Sequence, residues 1–205
     1  MADFCGTHTA VPSLITDFSE FPANTSFSTA QAWGGTSILN GTTFIYGTSG
    51  VTLTATTTTD GKLRLQVALP SNDFVGFGLS FSICGNASAF TGISASIGGT
   101  LGNATLVWQI QTDNDTPINT STGKGRCAYP SGTMWNDCGY NSYTFASGSV
   151  PSTPTTFNEA WSQFTGGKPV TTIEANEIIG TQWQLECRTG GTCNVNITID
   201  DVKFY

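Results

Sequence analysis

Two stretches of this chain carry a polar side chain at every second position. Gln109 and Gln111 flank Ile110, and Gln182, Gln184 and Glu186 alternate with Trp183 and Leu185. An amide donates and accepts hydrogen bonds, as a sugar hydroxyl also does. Such residues would be harmless on the solvent faces of outer strands. Two glutamine-bearing strands in one chain favour a binding surface. Tyr129, Trp135 and Tyr140 lie in a stretch with no alternation to claim them for a core. Their flat rings could stack on the CH face of a sugar, or cover one edge of the core as satellite packing. Trp33, in Ala-Trp-Gly-Gly-Thr, is a further loop candidate, whereas Trp108 and Trp183 alternate with Ile and Leu and read as core.

Catalytic constellations are poorly represented. The single His8 has no partner Ser or Cys motif for a hydrolase triad. Glycoside hydrolysis needs two carboxylates at a set distance, and Glu186 has no matching Glu on another clear strand. Arg64 or Arg126 with Tyr129 or Tyr140 could be assembled into a lyase site, but no spacing supports it. Asp113-Asn114-Asp115 begins like a calcium loop, yet Ile118 and Lys124 stand where Gly and the bidentate Glu belong. The doublet Asp200-Asp201 interrupts the alternation of the last strand. It could place a carboxylate beside Asp17 or Glu20, where hard oxygens would suit a structural Ca²⁺, or it could be a plain bulge with solvated acids.

The elements that must position these residues are strands. Leu63, Leu65, Val67 and Leu69 alternate up to Pro70; Val75, Phe77, Leu79, Phe81 and Ile83 alternate against Gly76, Gly78, Ser80 and Ser82. Phe44 and Tyr46, the stretch around Leu53, Ile93 to Ile97, Leu106 to Ile110, Thr181 to Cys187 and Val195 to Ile199 follow the same period. Helical signal is limited to about one turn near 158–164 and another near 173–178. Ten or so short strands with turn signals between them predict an all-β fold, a sandwich or jelly roll of two antiparallel sheets. Residues 1–12 read as an N-terminal extension tied by a disulfide, and 13–205 as one jelly-roll domain with a long stapled insert at 113–141. A connection of that length is usually functional.

Composition bounds the partners. Charged residues make up 10% of the 205, Thr and Ser about a quarter, and the net charge is −7, which excludes phosphate-backbone binding. No apolar run approaches a membrane span of roughly 20 residues. Six Cys at turn-like positions read as three disulfides. Proximity pairs Cys127 with Cys138 and Cys187 with Cys193, leaving Cys5 with Cys84. With seven Asn-X-Ser/Thr sequons, and without a signal peptide in Met1-Ala2-Asp3, the chain reads as the mature form of a secreted, monomeric protein.

Several segments resemble a known pattern. Leu14-Ile15-Thr16-Asp17-Phe18, Phe90-Thr91-Gly92-Ile93-Ser94, the run from Phe157 to Glu186, and the closing Ile197 to Tyr205 with its Ile-Asp-Asp are similar to carbohydrate-binding modules with the galactose-binding-like jelly roll, nearest the family 11 type. The resemblance implies a non-catalytic β-glucan binder with a polar, aromatic-lined cleft. It also implies a structural calcium at the terminal Asp, making Asp201 the leading ligand with Asp17 or Glu20. The three disulfides and the stapled insert depart from that pattern. The expectation is therefore a secreted jelly roll that binds a neutral polysaccharide without cleaving it. Gln109, Gln111, Gln182, Gln184 and Glu186 would bond hydroxyls, and Tyr129, Trp135 and Tyr140 would stack on rings. A polysaccharide-degrading hydrolase or lyase and a structural or adhesive surface domain are the alternatives.

Overall fold

The computed structural model describes residues 3–34, 38–130, 132–188 and 190–205. Two sheets pack face to face. The front sheet runs in the order β10 (Asn141–Phe145), β9 (Thr105–Thr112), β12 (Ile178–Glu186), β7 (Phe74–Asn86), β4 (Gly41–Gly47) and β3 (Ala32–Trp33). The back sheet runs β11 (Thr155–Ala160), β8 (Gly92–Thr100), β13 (Cys193–Phe204), β6 (Leu63–Leu69) and β5 (Thr54–Thr57), with β2 (Leu14–Thr16) on the end of β13. The pairings are antiparallel, except that β1 (Thr9–Ala10) lies parallel to the end of β7. This is the β-jelly roll that the alternation predicts.

The inward face of each strand is the apolar one, so burial drives the register. Leu63, Leu65 and Leu69 of β6 and Val75, Phe77, Leu79 and Phe81 of β7 are fully or almost fully buried between the sheets. Trp108 and Trp183 are cross-strand partners. Their rings stack 5.9 Å apart, a contact worth about 0.5–1.5 kcal/mol beyond the area it buries. The Trp108 indole donates to the Thr181 hydroxyl at 2.9 Å, which removes the cost of burying its N–H. Trp33 is core rather than a loop platform. It is 2% exposed and packs edge-on against Phe81.

Two bulges matter. One falls between Ile178 and Gly180 of β12, and the other shifts β13 between Asp200 and Lys203. Asp201 takes a left-handed φ of 48° there, so that Val202 and Phe204 return to the core. The three disulfides join Cys5 to Cys84, Cys127 to Cys138 and Cys187 to Cys193. Helix is as scarce as expected, and one of the two expected turns, near 158–164, is present. A 3₁₀ turn covers Trp161–Gln163, residues 173–178 are turn and strand, and a one-turn α-helix, α1, lies at Met134–Asp137 inside the insert.

Candidate ligand-binding cleft

Register stacks the outward side chains of the front sheet into rows. Ser142, Gln109, Gln182, Gly78 and Phe44 form one row across β10, β9, β12, β7 and β4. Thr144, Val107, Gln184, Gly76 and Tyr46 form the next. The rings of Phe44 and Tyr46 lie down over the glycines of β7. A Cβ at Gly78 would meet the Phe44 ring at 2.2 Å, and one at Gly76 the Tyr46 ring at 2.3 Å. The two strands the sequence marked with glutamine are thus direct neighbours. The strand it marked with small residues is the bed for two aromatic rings.

Over these rows opens a cleft of about 320 Å³, lined by Tyr46, Phe74, Gln109, Gly139, Tyr140, Gln182, Gln184 and Arg188. Its floor is an ordered hydrogen-bond chain. Gln111 Nε2 donates to Gln182 Oε1 at 2.6 Å. Gln182 Nε2 in turn donates to Tyr46 Oη at 2.8 Å and to Gln109 Oε1. Gln111 and Gln182 are 7% and 5% exposed, so the chain is an internal brace more than a surface. Gln184 Nε2 donates to Glu186 Oε1 at 2.6 Å, and Glu186 Oε2 takes Arg188 through Nε and a terminal nitrogen, both at 2.9 Å. Burial, followed by the neighbouring Tyr140 and Glu186, pushes the Tyr46 phenol far above its ordinary pKa, so it stays protonated. Burial also raises Tyr140, whose hydroxyl bonds Thr116. Phe74, 36% exposed, supplies an open ring at the rim, 6.4 Å from Tyr46.

The insert between β9 and β10 brings Gly139 and Tyr140 to the cleft, and buried polar residues hold it in place. Asp113 accepts from the Gly125 amide at 2.8 Å and from Arg126 Nε at 2.8 Å, and Arg126 also reaches Glu177. Asp115 accepts from the Val170 amide at 3.1 Å and from Asn141 Nδ2 at 3.0 Å. Burial outweighs these bonds and lifts its carboxyl to about 6. Lys124 covers the next row of the floor. Its ammonium donates to Ser80 Oγ at 2.8 Å and to the Phe81 carbonyl, and sits 4.8 Å over the Phe4 ring. Burial pulls its pKa down to about 8.

The expected site residues therefore separate. Gln109, Gln182, Gln184 and Tyr140 line the cleft together, while Gln111 and Glu186 stand behind them as hydrogen-bond partners. Tyr129 is elsewhere: it is 43% exposed and borders a depression with Ile118 and Pro130. The Trp135 side chain lies outside the described residues. Tyr46, Phe74 and Arg188 went unrecognised as site residues. For Tyr46 the signal lay in its alternation with Phe44, opposite the small face of β7.

Burial, followed by the charges of Asp201 and Asp17, raises the Asp200 carboxyl, so two of the residues expected to hold calcium, Asp17 and Asp201, lie near that carboxyl. Asp17 accepts from the amide and hydroxyl of Ser19, which hold its carboxyl below the usual range. Glu20 accepts from Thr16 Oγ1 at 2.7 Å, and Asp201 is exposed. Among the described residues no three Asp, Glu, His or Cys side chains converge as a ligand set. Positive charge at this end comes from Lys62. Its bond to Asp60 (2.7 Å) and the fields of Asp60, Asp200 and Asp201 hold it above its ordinary pKa.

A wider depression of about 500 Å³ lies on the back sheet, where Thr54, Gln66, Asn196 and Thr100 share a row. It offers short polar side chains on a flat face and no ring, so the front cleft is the better-built site.

The chain shares its jelly-roll fold with family 11 carbohydrate-binding modules. One from Clostridium thermocellum, determined in complex with a β-1,3-1,4-mixed-linked tetrasaccharide, superposes with a TM-score of 0.56 at 14% identity, over 79% of this chain and 87% of that one. The family 11 module of a cellulosomal cellulase of the same organism gives 0.52 at 15% identity, over 96% and 95% of the two chains. No family model matches the sequence, and no curated protein matches it.

Proposed function

We propose that this protein is a secreted, non-catalytic module that binds a neutral, β-glucan-like polysaccharide in the front-sheet cleft. The observation that carries the reading is the cleft itself. Braced amides of Gln109 and Gln184, the hydroxyl of Tyr46, the Tyr140 side chain and the open ring of Phe74 converge on one groove. Amides and phenols match sugar hydroxyls in being both donors and acceptors, and the ring offers a stacking face. The fold supports the reading, because a module of the same architecture was determined with a mixed-linked tetrasaccharide bound. Three disulfides support an oxidising, extracellular setting.

Affinity electrophoresis through gels containing mixed-linked β-glucan, mannan, xylan or a polyuronate tests this. Retardation is expected on a neutral polysaccharide and is abolished in Tyr46→Ala and Gln109→Ala. Free migration through every neutral polymer overturns the reading. Reducing ends accumulating on long incubation overturn its non-catalytic half.

A further inference from the structure

The hydrogen-bond chain under the cleft has a direction, and that direction follows from one residue. Both polar ends of Gln182 are engaged within the chain. Its carbonyl oxygen accepts from Gln111, and its amide nitrogen serves both Tyr46 and Gln109. The consequences pass outward. Gln109 is bonded through its oxygen, so its NH₂ is the end left for the cleft. Tyr46 accepts at its oxygen, so its own proton is free to point into the cleft. Gln184 is the counterpart: its NH₂ is tied to Glu186, and its oxygen has no partner among the described residues.

We propose that Gln182 is a positioning residue that sets the polarity of the cleft floor. It makes Gln109 and Tyr46 hydrogen-bond donors, with Gln184 as the facing acceptor. This rests on the sugar-binding reading above and deepens it. A donor floor suits oxygens that can only accept, the ring and glycosidic oxygens of a polysaccharide, as well as hydroxyls. It selects against a ligand that presents N–H or ammonium groups to Gln109 and Tyr46. Because the chain is braced before any ligand arrives, a sugar has no amide rotor to order on the floor.

Two measurements test this, the first without ligand. In ¹⁵N-labelled protein the Gln182 side-chain protons exchange slowly with solvent, being internal and bonded, and those of Gln109 exchange fast. Fast exchange at Gln182 or protection at Gln109 overturns the assignment. The second measurement compares Gln182→Glu with Gln182→Met, using mixed-linked β-glucan as the probe. An introduced carboxylate can only accept, so it turns Gln109 over and draws in the Tyr46 proton, and the floor becomes an acceptor. Affinity at neutral pH is expected to fall about 10-fold or more in both variants. Measured against the wild type at each pH, only the Glu variant recovers part of its affinity as pH drops and its carboxyl regains a proton, whose single O–H restores one of the two donations. Equal losses at every pH in the two variants, or wild-type affinity in the Glu variant, overturn the proposal. Absence of wild-type binding counts instead against the sugar-binding reading, and the exchange measurement still decides the polarity.

Discussion

Gly76 and Gly78 matter for the room they leave, since neither has a positive φ. Tyr46 and Phe44 occupy the space where a Cβ would stand, at 2.3 and 2.2 Å from its ideal position. Adding one methyl therefore forces a ring to lift, and overpacking of that kind costs about 1–3 kcal/mol. Gly76→Ala displaces the ring that accepts from Gln182, so polysaccharide affinity is expected to fall about 10-fold along with stability. Gly78→Ala moves Phe44, which lies outside the cleft lining, so stability falls by a similar amount with little change in affinity. Calorimetric titration and thermal melts separate the two; equal affinity losses in both variants would refute this division. The glutamines were legible in the sequence because alternation against Trp and Leu fixes which way a strand side chain points. Tyr46 was not legible as a site residue. Its role depends on which strand lies beside it, and pairing between residues 46 and 76 is not written in either segment alone.

Among the elements, the insert between β9 and β10 was visible from its length and its two cysteines. Its interior was not. Asp113 and Asp115, read as a failed calcium loop, are buried anchors. Asn141 is the hub for Asp115: its amide nitrogen serves the Asp115 carboxylate and the Val170 carbonyl, and its oxygen takes the Gly167 amide. Gly167 is required there, since a Cβ would sit 2.1 Å from the Asn141 nitrogen. Spacing along the chain carries no trace of such contacts, because the partners, Asn141 at the start of β10 and Val170 in a loop, lie 26 and 55 residues away. The anchor has a pH signature. Burial raises Asp115 to about 6 from an ordinary 3.8. Between those values the folded protein holds a proton that the unfolded chain has lost. The contribution of this group to stability is therefore greatest below about pH 4 and declines as pH rises to 6 and beyond. Denaturation of the wild type and Asp115→Asn across this range is expected to show their stability difference shifting against the wild type between about pH 4 and 6, and level above 7. A difference that does not vary with pH would show that the carboxyl titrates as it does in the unfolded chain.

At the scale of the whole molecule, the all-β architecture was the most legible feature, since period-two alternation runs through most of the strands and little else competes. The order of strands within each sheet was not, because local pattern says which face is buried and not which neighbour is paired. The low charge content also gains a location. Of the described residues lining the cleft only Arg188 is ionic, and Glu186 neutralises it at 2.9 Å. The remaining lining is amide, phenol and ring, on a chain whose net charge is −7. Recognition built this way releases no condensed counterions and draws nothing from long-range attraction. Affinity for a neutral glucan is therefore expected to change by less than about twofold between roughly 0.05 and 0.5 M salt, where the screening length shrinks from about 14 to 4 Å. A polyuronate, repelled by the negative chain and met by an already neutralised arginine, is not retained even at the low end. Titrations of both polymers at the two salt levels check this together. A steep loss of glucan affinity with salt, or polyuronate binding that appears at low salt, would mean that Arg188 leaves Glu186 to bind the ligand and that the cleft is ionic in use.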